Sequence, residues 1–507
     1  MERLLRPVTD WTSRTMAVVH EDRPEYPDPE GDFDCELDER QNETTRLPSG
    51  EDVQRRVLQV SECYVGGDLD RLVKGCKALD IEPDNPFGGP DIYEWADSVR
   101  RTSSTGGWVV AASLYRRGTE RKWMDDIAAD LPEDFDRVRL KAMSPIPSVV
   151  VLLATFTLSD VSANALNDEL NTNRYLRIDT VGRGLRRHTA FHRKQAAIAQ
   201  ERTRVREAAS QWVARVFPGT MITDFKKASL PAIEVITTKL AAPFTRPQLP
   251  DVPVEEISSR LEDYRYLLSI DVEGDAYTGS STPDWKIATS FRPDDDPWTI
   301  VCGHKLTVDE SPRDGVTFGG PYTDDHFIEN RFGGLMVRWA IKCLIECYEG
   351  TIAQLRDDLA RTPTREKSRW NFIKRVGQNA LRTETIDSLE RASKLLSNTI
   401  FDATIVSNEV GKWVSNERRW TYELDEYKQI HDWGDGQVDE FFFDKMLRTS
   451  LEDRAEWFGE TIPLLRSELE LRASIESTAA NFRLQQIAMV LAILAIFISV
   501  VAIAMPS

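Results

Sequence analysis

The sequence predicts an α+β (or α/β) cytosolic domain followed by a long-helix stalk and one C-terminal transmembrane helix. Three observations carry this reading. Runs rich in β-branched residues alternate with amphipathic helical stretches across residues 53–325. From residue 326 onward the pattern turns helical and stays so. Finally, Ile487 to Met505 reads IAMVLAILAIFISVVAIAM, nineteen residues without charge, Pro or Gly, against the about 20 apolar residues that a helix needs to cross a hydrocarbon core of ~30 Å.

Composition narrows the function classes. The 507 residues carry 83 acids against 64 bases, a formal charge of −19, which argues against a nucleic-acid partner because phosphate attraction needs a basic surface. The bases are 17 Lys and 47 Arg; an acid-rich, Arg-over-Lys balance suits a high-salt cytoplasm and equally a high-GC genome. Six cysteines, Cys35, Cys63, Cys76, Cys302, Cys343 and Cys347, form no CxxC pair, so they read as reduced thiols in a reducing compartment. The opening MERLLRPVTDWTSR has no apolar core of a secretion signal.

From about Glu21 to Asp52 the sequence is rich in Pro and acids and poor in apolar side chains, and residues 1–52 are expected to form a disordered arm. DVQRRVLQV, from Val53, reads as a short strand or helix. Leu69, Leu72, Val73, Cys76 and Leu79 follow at helical spacing, and DIYEWADSVRR makes a second helix. GGWVVAASLYRRG is a strand, TERKWMDDIAADLP a helix, and DRVRLKAMSPIPSVVVLLATFTLSD a strand pair broken at Pro145 and Pro147, its VVVLLATF run fit for burial on both faces. A helical insertion over about 161–216 comes next, rich in Ala, Gln, Glu and Arg. Strands resume at Ile233–Leu240, Arg265–Val272, Trp285–Phe291 and Trp298–Leu306.

Residues 326–486 read as a helical stalk or bundle, with HDWGDGQ as a turn and a last helix from Asp439 that runs toward the apolar segment. In it Phe458, Ile462, Leu465 and Leu469 step by four, three and four, a heptad seam, and Leu464, Leu471, Ile475 and Phe482 make a second stripe. Two stripes predict more than one neighbour, including other copies of the chain. Residues 487–505 form the span. Arg466, Arg472 and Arg483 precede it, so the N-terminal bulk is expected in the cytoplasm and the topology is tail-anchored in the cell membrane.

No stretch declares a catalytic chemistry. His188 and His192 are four apart in HTAFH, the spacing that would set two imidazoles on one helix face toward a metal. The Glu of a hydrolytic HExxH is absent, and Arg183, Arg186, Arg187, Arg193 and Lys194 surround them, so a solvated basic face is the competing reading. Asp324, Asp325 and His326 could ligate Mg²⁺ or Ca²⁺, as could Asp294, Asp295 and Asp296, against the plain alternative of solvated loop acids. Cys343 and Cys347 sit among Ile341, Leu344 and Ile345 and read as small buried hydrophobes. No Walker lysine, GxGxxG, GxSxG or kinase set is present.

The layout resembles that of CorA-type divalent-cation transporters, in which an α/β cytosolic domain leads through long stalk helices into a pore-lining transmembrane helix. The resemblance rests on Asn481 with the apolar positions after it, on Met505 at the far end of the span, and on SPIPSVVVLLATFTLSD as paired strands before the long helices. It implies a homo-oligomer bundled through the stalk, a lipid bilayer as partner, and Mg²⁺ or another divalent cation. The family's Lys near Asn481, its Gly-Met-Asn closing motif and its second transmembrane helix have no counterpart here. The resemblance therefore carries no metal ligand onto this chain, and the competing expectation is a tethered sensor, scaffold or enzyme.

Overall fold

The computed structural model describes residues 32–81, 90–102, 107–119, 127–181, 184–238, 264–268, 276–279, 285–288, 298–303, 324–361, 399–421, 427–432, 438–468, 470–471 and 474. They fall in two compact units, Met1–Cys347 with Lys412–Leu451, and Tyr348–Gly411 with Glu452–Ser507.

The first unit is an α+β domain. Its helices are α1 (Asp32–Thr45), α2 (Leu69–Ala78), α3 (Ile92–Thr102), α4 (Asp160–Asn171), α5 (Ala190–Val216), α6 (Thr220–Thr223), α7 (Tyr264–Leu267) and the start of α8 (Asp324–Arg361). Its long strands are β1 (Val53–Val65), β2 (Gly107–Arg116), β4 (Phe135–Ile146) and β5 (Val149–Leu158). The shorter ones are β3 (Ile127–Ala129), β6 (Arg177–Val181), β7 (Gly184–His188), β8 (Ala232–Thr238), β9 (Ala276–Gly279), β10 (Trp285–Ala288), β11 (Trp298–Gly303), β12 (Tyr427–Asp432) and β13 (Val438–Phe442). All but β6 and β7 join one mixed sheet in the order β13-β12-β9-β10-β11-β8-β1-β5-β4-β2-β3. The β2/β3 and β8/β11 neighbours run parallel, and the other pairs are antiparallel.

The register divides the sheet into two unlike faces, because directly paired residues share a face and alternate residues change it. On one face lie Leu58, Phe156, Val138 and Leu114, then Val60, Ala154, Leu140 and Ala112. These eight are buried and apolar, and α4, α5 and α6 cover that side of β1. The opposite face carries Cys63, whose thiol donates to the Ala340 carbonyl at 3.7 Å, and Leu153, against which a side chain at Gly333 would lie at 3.5 Å. Helix α8 therefore covers the central strands there. The VVVLLATF run is buried on both faces, as its continuous apolar character requires.

Five expectations change. Residues 32–45 of the acidic arm form α1, which docks through polar groups. Asp38 accepts the Leu176 and Ala190 amides, Gln41 accepts the Phe191 amide at 3.0 Å, and Asn42 exchanges two hydrogen bonds with the Arg174 backbone. Ala190 and Phe191 open α5, so α1 satisfies donors that a helix start leaves unpaired. The helical insertion over 161–216 is α4, a β6–β7 hairpin and α5, because Thr189 accepts the His192 amide and starts a new helix there.

Within 326–486, β12 and β13 interrupt the helices and extend the sheet beside β9. Tyr427 is buried there, stacked on Phe332 at 6.0 Å, so tertiary packing overrides a helical sequence pattern. Finally, residues 127–129, expected in a helix, pair with β2 as β3, and Tyr264–Leu267 is helical where a strand was expected. Leu267 and Leu268 join the apolar cluster of Leu166, Leu170 and Ile198, which a helical turn serves better than an alternating strand.

The second unit is helical where described. Ile352, Ile400, Ala403, Val406 and Val410 are buried with Phe458, Ile462 and Leu465, three residues of the expected heptad seam. An Arg454–Glu349 ion pair also ties it. Leu464 and Leu471, from the second stripe, are 69% and 61% exposed. Among the described residues no helix is long and apolar enough to cross a membrane; residues 487–505 lie outside them.

Candidate functional site

Strand β4 alternates cation and aliphatic residue: Arg137, Val138, Arg139, Leu140, Lys141, Ala142. The aliphatic side chains fill the core under α4 and α5, which sends all three cations to the other face. There Arg137 pairs with Tyr115 of β2, Arg139 with Ser113, Lys141 with Val110, and Met143 with Trp108. On β5 the partners of Arg137, Arg139 and Lys141 are Thr157, Thr155 and Leu153, and Gln59 of β1 lies beyond Thr155. The result is a polar strip across four strands, with cations about 7 Å apart along β4.

The strip is ordered by its own contacts. Arg137 donates through Nε to Ser113 Oγ at 2.9 Å, Lys141 Nζ stands 4.6 Å from the Trp108 ring centroid, and Gln59 Nε2 donates to Thr155 Oγ1 at 2.9 Å. Arg137, Arg139 and Lys141 each make further interactions. Arg137 and Lys141 are buried, while Trp108 is 48% exposed. Two buried polar atoms next to the strip, Gln59 Oε1 and Ser61 Oγ, have no hydrogen-bond partner. Chemically, such a row can hold an anion, with Arg suited to bidentate contact with phosphate or carboxylate oxygens.

The face under α4, α5 and α6 is charged in a different way. Arg55 pairs with Glu201 at 3.1 Å, Arg202 with the buried Glu234, and Arg204 with Asp134 and Glu201, both at 2.8 Å. Burial pushes the Asp134 carboxyl up, but its bonds from Arg204 and Ser162 outweigh that and hold it below the ordinary value. These ions are mutually neutralised, and they lock α5 onto β1 and β8.

Glu62, on the same face, has no basic partner among its described contacts. Its carboxylate accepts the Cys63 and Met221 amides, both at 2.9 Å, and Oε2 has no partner. Burial pushes it up to about 8 against those amide bonds. Gly219 makes room for it: a Cβ there would lie 2.4 Å from Glu62 Cγ. Glu62 thus holds a proton inside the fold near neutral pH. The thiols nearby are inert by burial, which pushes Cys343 up to about 12 and Cys63 well above the ordinary thiol range.

The residues singled out from the sequence do not converge. His188 ends β7 and His192 sits in the first turn of α5, so the two do not share a helix face. His192 is exposed, with Nδ1 3.0 Å from Thr189 Oγ1, a capping contact. Asp324, Asp325 and His326 open α8; their side chains, like Asp294, Asp295 and Asp296 as a whole, lie outside the described residues. Among the described residues no group of three or more His, Cys, Asp and Glu is placed to hold a metal ion.

The cationic strip was not singled out from the sequence, although its signal is there. RVRLK is a period-two pattern with every charge on one side, and the strand itself is predicted. Sequence alone does not bring Trp108 beside Lys141, because that needs the β2/β4 register. Glu62 left no local trace, since a lone Glu in a strand ordinarily points to solvent. No protein-family model, curated protein or solved structure matches this chain.

Proposed function

We propose that this chain is a membrane-anchored protein whose α+β domain works at the cytoplasmic surface as a sensor or scaffold, held there by residues 487–505. The nineteen-residue apolar run carries the reading, since a segment of that length without charge partitions into a bilayer as a helix. The helix over 443–468 leads toward it, and the Arg residues at 466, 472 and 483 favour a cytoplasmic position for the domain. The exposed Leu464 and Leu471, one heptad apart, support stalk-to-stalk association of several copies.

The test is fractionation. Full-length protein is expected in the membrane pellet after alkaline carbonate washing, and a chain ended before Asn481 in the supernatant. Recovery of both in the same fraction overturns the anchor. The second reading, a CorA-like cation transporter, draws on the order of an α+β domain, helices and span. Divalent-cation flux into liposomes holding the purified protein separates the two: a tether passes no ion above empty vesicles, and saturable flux replaces the tether reading by transport.

A further inference from the structure

We propose that residues 217–231 form a latch over Glu62 that a proton controls: it stays closed while the carboxyl is protonated and lifts when the carboxyl ionises. As a stimulus for the proposed sensor this rests on that reading; the latch itself stands whether or not residues 487–505 enter a bilayer.

The packing of this end of β1 carries it. Strand β8 begins at Ala232, the partner of Val60, and the Ser61 amide donates to the Pro231 carbonyl at 3.0 Å. Beyond that point the segment before β8 takes the place of a neighbouring strand. Tyr64 Oη donates to the Phe217 carbonyl at 2.7 Å, the Val65 amide to Thr220 Oγ1 at 2.9 Å, and the Thr220 hydroxyl to Asp68 Oδ2 at 2.8 Å. Glu62 lies under these holds, fully buried, with Gly219 against its Cγ and the Met221 amide on Oε1. The Cys63 amide also binds Oε1, so an ionised carboxylate would keep Oε2 buried with no donor, a costly arrangement. Leu152, paired with Glu62 across β5, is buried, whereas Asp224, Lys226 and Ala228 of the segment are exposed. Lifting the segment is thus the short way to bring water to the carboxylate.

None of the ionisable groups around Glu62 pairs with it. On β1 these are Cys63 and Tyr64, both pushed up by burial. Asp68 is a second acid, 3.1 Å from Arg71 of α2, which also stands 4.0 Å from Asp224 of the segment. On α8, Cys343 and Cys347 are likewise pushed up by burial, and Lys342 is paired with Glu346. Lys227, on the segment itself, acts on the three thiols and opposes that rise. Closed, Glu62 holds its proton up to about pH 8; in water it releases it near 4.5. Opening therefore frees one proton to solvent, and its equilibrium constant rises about tenfold per pH unit between those values and levels off above them.

The experiment is hydrogen–deuterium exchange of the detergent-solubilised full chain from pH 5.5 to 9, each rate divided by that of the unfolded peptide at the same pH. Peptides over 217–231 should open about tenfold more readily per pH unit up to pH 7.5 and level off above pH 8. In Glu62→Gln the same peptides should keep one opening constant throughout, and Glu62→Met replaces it if circular dichroism shows that the Gln variant does not fold. Peptides over β5 should stay better protected than 217–231 by about tenfold or more at every pH, as a local opening requires. The proposal is overturned by a flat wild-type profile or by a slope that the neutral variants keep. Equal protection of 217–231 and β5 also overturns it, since Glu62 then acts on global stability alone. Failure of the carbonate fractionation would leave each of these outcomes as it stands.

Discussion

Replacing Glu62 by Gln removes a buried charge while keeping an oxygen for the Cys63 and Met221 amides. In the unfolded chain Glu62 titrates near 4.5, and in the fold near 8. Between those values the folded protein binds a proton that the unfolded chain releases. The carboxyl's contribution to stability is therefore fully present below pH 4.5 and is lost as pH rises through 8. The interval corresponds to about 5 kcal/mol, at about 1.4 kcal/mol for each tenfold in proton affinity. Glutamine is neutral throughout and loses nothing over that range. The Glu62→Gln protein should thus gain about 5 kcal/mol on the wild type between pH 4.5 and pH 9, most of it between pH 5 and 8. Urea unfolding of the full chain, followed by circular dichroism at half-unit pH steps, measures the difference directly. Two stability curves that run parallel from pH 5 to pH 9 would refute the claim that this carboxyl is buried without a counter-charge.

Gly219→Ala forces a methyl against Glu62 Cγ and the Cys63 carbonyl, and should cost about 1–3 kcal/mol in the same unfolding assay, less in the Glu62→Gln background if the side chain gives way. Arg55→Met leaves Glu201 and Glu234 with one fewer cation in the interior and should lower stability by about 3–5 kcal/mol, read as a shift of the urea midpoint. Asp38→Ala strips acceptors from the Leu176 and Ala190 amides, at about 1–3 kcal/mol. It should make the chain before Thr45 sensitive to limited proteolysis, while the rest of the first unit keeps its wild-type cleavage pattern.

How much was legible in the sequence follows from which interactions built each element. Strand β5 declared itself because its VVVLLATF run is buried on both sides, and α2 because Leu69, Leu72 and Cys76 step at helical spacing into the core. Helix α1 did not, since hydropathy measures apolar burial and α1 is held by Asp38, Gln41 and Asn42 acting on the start of α5. The HTAFH spacing misled for a related reason. His188 ends a strand and Thr189 caps the helix that follows, and a four-residue interval means a shared face only inside a single helix. The charges of β4 were legible as an alternation, but their neighbours were not. Register is fixed by strand pairing across gaps in the chain, so Trp108 beside Lys141 appears only once β2 is laid on β4.

The place of β12 and β13 in the sheet order bears on how the domain is made. They form one edge and join through β9, which lies some 150 residues earlier in the chain. During synthesis the outer side of β9 pairs once β12, ending at Asp432, has emerged, and pairing at such separation closes slowly. A chain ended before Tyr427 would present that edge permanently, as a template for pairing with its own copies. The α+β unit of this protein therefore runs through Leu451 and does not end at the visible change in composition near residue 325. The helices between β11 and β12 are a detour taken by a sheet that is still unfinished.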